Sequence, residues 1–168
     1  DKNAVDGLHA DTEPLNCDSQ LIDRDAMWRS KMHALWIIFK AGRTAERQSV
    51  FDQFKADCGS DLEAYATWCL CYDKWGAPNG EEGNWERKFN RNSPEIANLR
   101  KQYPDTLDFY RWLEWIAAEQ LSSAQQAAKD AGMHIGIMSD MAVGVHPSGA
   151  DVWWNPERFA KGATVGAP

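Results

Sequence analysis

The stretch Met133-His134-Ile135-Gly136-Ile137-Met138, followed by Ser139 and Asp140, decides the fold expected of this chain. It is short, apolar and β-branched at alternate positions, which predicts one buried strand over residues 133–138. Apolar residues recur at helical spacing upstream of it, from Asp105 to about Ala131, and Gly132 ends that predicted helix. A long helix, a glycine turn, a buried strand and a carboxylate at the end of the strand form one helix–strand step of a barrel.

Asp140 is the candidate functional residue of this step. Functional side chains of such barrels lie at the carboxyl ends of the strands. The alternative is that the Asp140 carboxylate only caps the following turn. His134 and His146 flank the same region, but their spacing matches no standard ligand motif, and we predict no metal site. A single strand cannot form a sheet, so residues 133–138 must pair with a second copy, with the N-terminal residues, or with partners outside this sequence.

The rest of the chain has mostly helical periodicity. Helices are predicted over 23–41, from Thr44 to about Gly59, from a capping box at Ser60 to Gly76, and from Pro94 to about Lys101. Residues 1–20 are predicted to be a loop or mobile arm. Residues 76–92 are predicted to be a loop anchored by Trp85 and Phe89, and 150–159 a loop with one helical turn.

Composition limits the classes of partner. The 168 residues carry a net charge of −7, so no basic excess exists to neutralise a nucleic-acid backbone. The longest apolar run, residues 34–39, is far shorter than the roughly 20 residues of a membrane span. Four cysteines occur without a visible secretion signal, which predicts reduced thiols and a cytoplasmic location. We therefore expect no nucleic acid and no membrane among the partners.

Nine tryptophans are an unusual number for a chain of this length. Five fall in helical patterns and are predicted to be core residues: Trp28, Trp36, Trp68, Trp112 and Trp115. Three fall in predicted loops, namely Trp85, Trp153 and Trp154. These three either anchor their loops or stack on sugar rings, whose CH faces suit an aromatic surface.

Two segments carry a family resemblance: Ala131-Gly132-Met133-His134-Ile135-Gly136-Ile137-Met138-Ser139-Asp140-Met141-Ala142-Val143-Gly144-Val145, and Gly149-Ala150-Asp151-Val152-Trp153-Trp154-Asn155-Pro156-Glu157-Arg158-Phe159. Together with Val165-Gly166-Ala167-Pro168 they resemble the 4-α-glucanotransferase family, also called amylomaltases or disproportionating enzymes. Residues 109–115 resemble the family helix before that strand, and residues 22–28 the start of its helical insertion. The resemblance is strong over 105–168 and weaker over 21–104.

The resemblance implies a fold that is mostly α in this chain, within a parent that is a (β/α)8 TIM barrel. Residues 21–103 would be a helical insertion subdomain, and 104–168 a barrel helix, the third barrel strand and the following active-site loop. Asp140 matches the aspartate that supports the substrate site of the α-amylase clan. His146, Asp151 and Trp153 are candidate substrate contacts in the loop.

The resemblance also implies a reaction. The family transfers α-1,4-glucan segments between maltodextrins by a retaining mechanism, in which an aspartate attacks the anomeric carbon and a glutamate protonates the leaving oxygen. Those two carboxylates would come from strands beyond Pro168, so no catalytic residue is expected in this chain and the chain alone should be inactive. No cofactor or metal is expected. The partners would be a maltodextrin and the rest of the protein's own barrel.

Two other classes stay open on the sequence. One is a non-catalytic helical module that presents Trp85, Trp153 and Trp154 to a glucan. The other is a protein-interaction domain that self-associates through residues 133–138.

Overall fold

The computed structural model describes residues 2–12, 21–78, 84–160 and 162–163. Their regular structure is helical throughout, which confirms the prediction of a mostly α chain, and no strand occurs within these ranges. The chain divides into two compact units, residues 1–50 and residues 51–168.

The described residues of the first unit include two helices, α1 (Lys2–Thr12) and α2 (Arg24–Lys40), which pack against each other. Asp23 caps α2, since its carboxylate accepts a hydrogen bond from the Ala26 N–H at 2.9 Å. Gly42 (φ +82°) follows the end of α2. The prediction of a loop or mobile arm over residues 1–20 is therefore wrong for residues 2–12. This helix carries few apolar residues, so its sequence lacked a clear periodic signal. Residues 13–20 lie outside the described ranges.

Helix α3 (Ala45–Trp75) covers the two helices predicted on either side of Gly59. Gly59 has φ 53° and ψ −127°, which no helical residue adopts, so the two helical parts of α3 meet at a kink where the sequence predicted their boundary. Thr44 caps its start by accepting a hydrogen bond from the Arg47 N–H at 3.3 Å. Gly76 (φ +81°) follows its last residue, as the sequence predicted.

Within its described residues, the second unit continues with four further helices and one 3₁₀ turn. They are α4 (Trp85–Lys88), α5 (Pro94–Gln102), α6 (Pro104–Asp130), α7 (Ala150–Trp154) and the turn Pro156–Arg158. Helices α5 and α6 lie where the proline and glycine signals predicted them. Helix α4 was not predicted, because it lies inside the segment that was assigned to a loop.

Residues 133–138 do not form the predicted strand. Gly136 has φ +81°, a left-handed conformation that interrupts an extended chain. The side-chain amide of Gln125, on α6, donates to the Ile135 carbonyl (3.1 Å) and accepts from the Ile137 N–H (2.5 Å). A glutamine side chain thus takes the place of a neighbouring strand, which the described part of the chain does not supply. The large apolar side chains around it are exposed, among them Ile135 and Met138.

Tryptophans dominate the core of the second unit. Its buried members are Ala66, Leu70, Cys71, Trp85, Ile96, Leu99, Leu107 and Trp153, with Trp68, Trp75, Phe89, Tyr103, Tyr110 and Trp154 packed against them. Trp112 and Trp115 are also buried, as predicted, whereas Trp28 is 59% exposed and its assignment to a core was wrong. Residues on both sides of the predicted division at 103/104 share this core.

Candidate substrate site

Helix α7 and the loop before it hold three of the four candidate site residues, and indole hydrogen bonds fix this segment to the helices beneath. Trp68 Nε1, on α3, donates to the Ser148 carbonyl at 3.0 Å. Trp153 Nε1 donates to the Phe89 carbonyl at 2.9 Å. Both bonds join residues more than 60 positions apart, so the segment is positioned by the core rather than by its own sequence.

Arg91 holds the end of α7 in place. Its Nη1 donates to the Trp154 carbonyl at 2.6 Å and to Asn155 Oδ1 at 2.9 Å. Its Nη2 lies 3.7 Å from Glu157 Oε1, and its guanidinium stands 6.0 Å from the centre of the Trp154 ring. A charged donor on the last carbonyls of a helix satisfies groups that the helix itself leaves free.

Three cavities border this segment. The largest, about 720 Å³, is apolar and is lined by residues 142–145, Pro147, Val152, Pro156, Phe159, Ala160, Gly162 and Ala163. A second, of about 440 Å³, is lined by Glu86, Arg87, Phe89, Asn90, Pro147, Ser148, Val152, Trp153 and Pro156. A third, of about 200 Å³, is lined by Asp61, Ala64, Tyr65, Ala150, Asp151, Trp154, Asn155 and Arg158.

The four candidate residues have different surroundings. Asp140 is exposed, in a segment without regular structure. His146 is exposed as well, and its Nδ1 accepts the Ser148 N–H at 3.1 Å, which shapes the turn into α7. Asp151 lies in the first turn of α7 at the edge of the 200 Å³ cavity. Trp153 is only 7% exposed, with its ring 5.4 Å from that of Trp85.

The structure therefore brings His146, Asp151 and Trp153 onto one short segment and leaves Asp140 apart from any described cavity lining. Trp153 contacts the core on one side and borders the 440 Å³ cavity on the other. Trp85, another candidate for sugar stacking, is 2% exposed and donates its indole N–H to the Gly76 carbonyl at 2.9 Å. Trp85 is thus the loop anchor that the alternative interpretation required.

Tyr65 is the titratable group at the 200 Å³ cavity whose environment is most perturbed. Partial burial raises the pKa of its phenol, and the neighbouring Cys69 and Glu114 raise it further. Like any tyrosine at physiological pH, Tyr65 keeps its proton, so its hydroxyl can donate a hydrogen bond. Asp61, Asp151 and Arg158 in the same lining add two carboxylates and one guanidinium, a set of groups suited to hydroxyl-bearing ligands.

Glu86 and Arg91 are the residues of this region that the sequence did not single out. Both lie in the segment 76–92, whose mixed charge is typical of a solvated loop. The one signal that could have found them is their position next to Trp85 and Phe89, which the sequence did identify as anchors.

The described residues contain no group of three or more His, Cys, Asp or Glu side chains able to hold a metal ion. Cys58, Cys69 and Cys71 have free thiols, and Cys17 lies outside the described residues. Among the helices of the described ranges, none is both long enough and apolar enough to cross a membrane.

Comparison with known proteins gives the family. The model of the 4-alpha-glucanotransferase family, glycoside hydrolase family 77, matches residues 3–168, so the chain belongs to this family. A 4-alpha-glucanotransferase of Mycobacterium tuberculosis (strain ATCC 25618 / H37Rv) is 39% identical over 148 residues, which cover 88% of this chain and 20% of that protein. One of Haemophilus influenzae is 40% identical over 164 residues, covering 90% of this chain and 24% of that protein.

A more distant 4-alpha-glucanotransferase, of Chlamydia caviae, is 25% identical over 97 residues, covering 58% of this chain and 17% of that protein. The chain thus spans between a fifth and a quarter of the length of the two more similar relatives. The family resemblance that the sequence carried is confirmed.

Proposed function

We propose that the protein to which this chain belongs transfers α-1,4-glucan segments from one maltodextrin to another. The observation that carries the proposal is the family match over residues 3–168, which includes residues 133–138, Asp140 and α7. The substrate class follows from the names of the relatives, which are all 4-alpha-glucanotransferases.

The reaction that fits this class is a retaining double displacement. A carboxylate attacks the anomeric carbon, a carboxylic acid protonates the leaving oxygen, and an acceptor hydroxyl then replaces the enzyme carboxylate. We place both groups on strands that follow residue 168. Asp140 then supports the sugar that reacts, and His146, Asp151 and Trp153 contact the glucan chain.

The same proposal predicts that residues 133–138 form a strand in the longer protein. When neighbouring barrel strands supply backbone partners, the bonds from Gln125 to Ile135 and Ile137 are no longer needed. The exposed side chains of Ile135 and Met138 would then lie within a core. Gly136 would leave its left-handed conformation, which costs a glycine little.

The test is disproportionation of maltotriose. The longer protein should form glucose and longer dextrins, whereas the 168-residue chain alone should form neither, because the nucleophile and the acid/base are elsewhere. Transfer catalysed by the chain alone would contradict the placement of these carboxylates. Failure of the longer protein to act on any maltodextrin would contradict the activity itself.

The role of Asp140 is tested by Asp140→Asn in the longer protein. We expect the transfer rate to fall by about 100-fold, since a displaced sugar loses much of the advantage of correct positioning. Asp130→Asn is the matched control, because Asp130 is an exposed residue at the end of α6 whose carboxylate accepts a hydrogen bond from Gln126 on the same helix. Equal transfer rates for the two variants would show that Asp140 does not support the substrate site.

A further inference from the structure

Arg91 connects the segment before α5 to the end of α7. Its guanidinium donates to two acceptors there, the backbone carbonyl of Trp154 and the side-chain oxygen Oδ1 of Asn155, and each bond joins residues more than 60 positions apart. The planar fork of an arginine can bind two acceptors in a fixed geometry. One side chain thus holds both the backbone and a side chain at this end of α7.

Helix α7 depends on such bonds from outside, because it has only five residues. So short a helix gains too few backbone hydrogen bonds to offset the cost of ordering its chain. The last carbonyls of any helix also lack partners within the helix. Arg91 satisfies one of these carbonyls, at Trp154, and thereby fixes where α7 ends.

The end of α7 is part of a cavity wall. The cavity of about 200 Å³ is lined on this side by five residues, which we call the α7 wall: Ala150, Asp151, Trp154, Asn155 and Arg158. Arg91 binds Trp154 and Asn155, two members of this wall, but is absent from the described linings of all three cavities. Any effect of Arg91 on a ligand in this cavity is therefore exerted through α7.

We propose that Arg91 is a positioning residue for the glucan, because it holds the α7 wall in the arrangement in which Asp151 contacts the sugar chain. The ligand in this inference rests on the proposed function. A contact from the α7 wall is made both before and during the reaction. Its loss therefore weakens substrate binding and leaves the chemical step unchanged.

The experiment is the steady-state kinetics of maltotriose disproportionation by the longer protein. Arg91→Ala should raise KM by about tenfold, the worth of one hydrogen bond between the wall and the glucan, with kcat within about twofold of the wild type. Arg91→Lys should raise KM by only about threefold, since an ammonium keeps the charge but lacks the fork that binds both acceptors. A purely structural role would instead lower the fraction of active enzyme, and hence the apparent kcat, at constant KM.

Arg100→Ala is the matched control. Arg100 has nearly the same side-chain exposure as Arg91, 35% against 36%, and it pairs with Glu63 on α3. We expect this variant to keep the wild-type KM. Hydrogen exchange of the same proteins gives a second measurement, in which Arg91→Ala should speed exchange over residues 150–155 by about tenfold and Arg100→Ala should not.

The outcomes separate this inference from the proposed function. Transfer by the wild type with an unchanged KM in Arg91→Ala would overturn the positioning role and leave the activity standing. Equal increases of KM in Arg91→Ala and Arg100→Ala would overturn it as well, because the effect would then belong to a general loosening of the second unit. Absence of transfer by the wild type would contradict the proposed function. Unchanged exchange over residues 150–155 in Arg91→Ala would overturn the role of Arg91 whether or not the wild type is active.

Discussion

Glu63 joins three helices of the second unit through two arginines. Its carboxylate, on α3, pairs with Arg100 of α5 and, at 2.7 Å, with Arg111 of α6. Arg111 also lies 3.4 Å from Asp108. The Arg111 side chain is only 17% exposed, so water cannot readily take the place of the Glu63 carboxylate if that carboxylate is removed.

Glu63→Gln should therefore lower the free energy of unfolding by about 1–3 kcal/mol, because it leaves the Arg111 guanidinium partly buried with a neutral partner. Urea denaturation followed by circular dichroism measures the change. The control is Glu157→Gln, which removes a more exposed pair with Arg91 at 3.7 Å and should cost under about 0.5 kcal/mol. Equal losses in the two variants would show that burial adds nothing to the Glu63 cluster.

Helix boundaries were the features of the fold that the sequence predicted best. Pro94, Gly42, Gly76 and Gly132 act on the backbone directly, by fixing φ or allowing a positive φ, so their effect does not depend on distant residues. The strand over 133–138 could not be settled in this way, because a strand needs hydrogen-bond partners from elsewhere in the chain. The Gln125 side chain supplies two of these hydrogen bonds, and no periodicity of the sequence indicates a bond of this kind.

Gln125 gives a prediction for this element. In the 168-residue chain alone, Gln125→Ala should speed exchange of the Ile137 amide hydrogen by about tenfold, because the bond to Gln125 Oε1 is lost and the amide becomes free to contact water. The matched control is Gln126→Ala, because the Gln126 side chain donates a hydrogen bond to Asp130 within α6. If Gln126→Ala accelerates the Ile137 amide equally, the effect belongs to the helix and not to the bond.

The core of the second unit combines residues from two segments, 21–103 and 104–168, that the sequence predicted to be separate subdomains. Trp85 and Ile96 come from the predicted insertion, and Leu107 and Trp153 from the predicted barrel part, yet all four are buried together. The sequence predicted the candidate site residues in two ways. The barrel pattern indicated Asp140 and the loop position indicated Trp153, and the family resemblance added His146 and Asp151. Glu86 was missed because burial of a charge is set by tertiary packing, which local charge pattern does not report.

Two buried thiols make the stability of this core depend on pH. Burial raises the pKa of Cys71 from 9.0 to about 12, and that of Cys69 likewise to about 12. The folded state therefore keeps both protonated, while the unfolded state releases their protons above about pH 9. Stability from this source is complete below pH 9 and is lost as the pH rises toward 12, by up to about 1.4 kcal/mol per pH unit for each thiol.

Cys71→Ala should reduce the slope of the free energy of unfolding against pH by the contribution of one thiol. Urea unfolding at several pH values between 8 and 11 measures this slope. The comparison uses slopes, so the constant cost of the small cavity left by the substitution cancels. Cys58→Ala is the control, since that thiol is less buried and its pKa is raised less strongly. An unchanged slope in Cys71→Ala would place the alkaline transition on another group, such as the partly buried Tyr110, whose pKa burial also raises.

The packing of the tryptophans also determines the fluorescence of the protein. Trp85 lies 6.3 Å from Trp68, 6.2 Å from Trp75 and 5.4 Å from Trp153, measured between ring centres. Indoles this close pass excitation to one another before they fluoresce, so the group emits from whichever ring has the lowest excited state. Its emission is therefore depolarised, and a change at the Trp153 ring would alter the signal of the whole group.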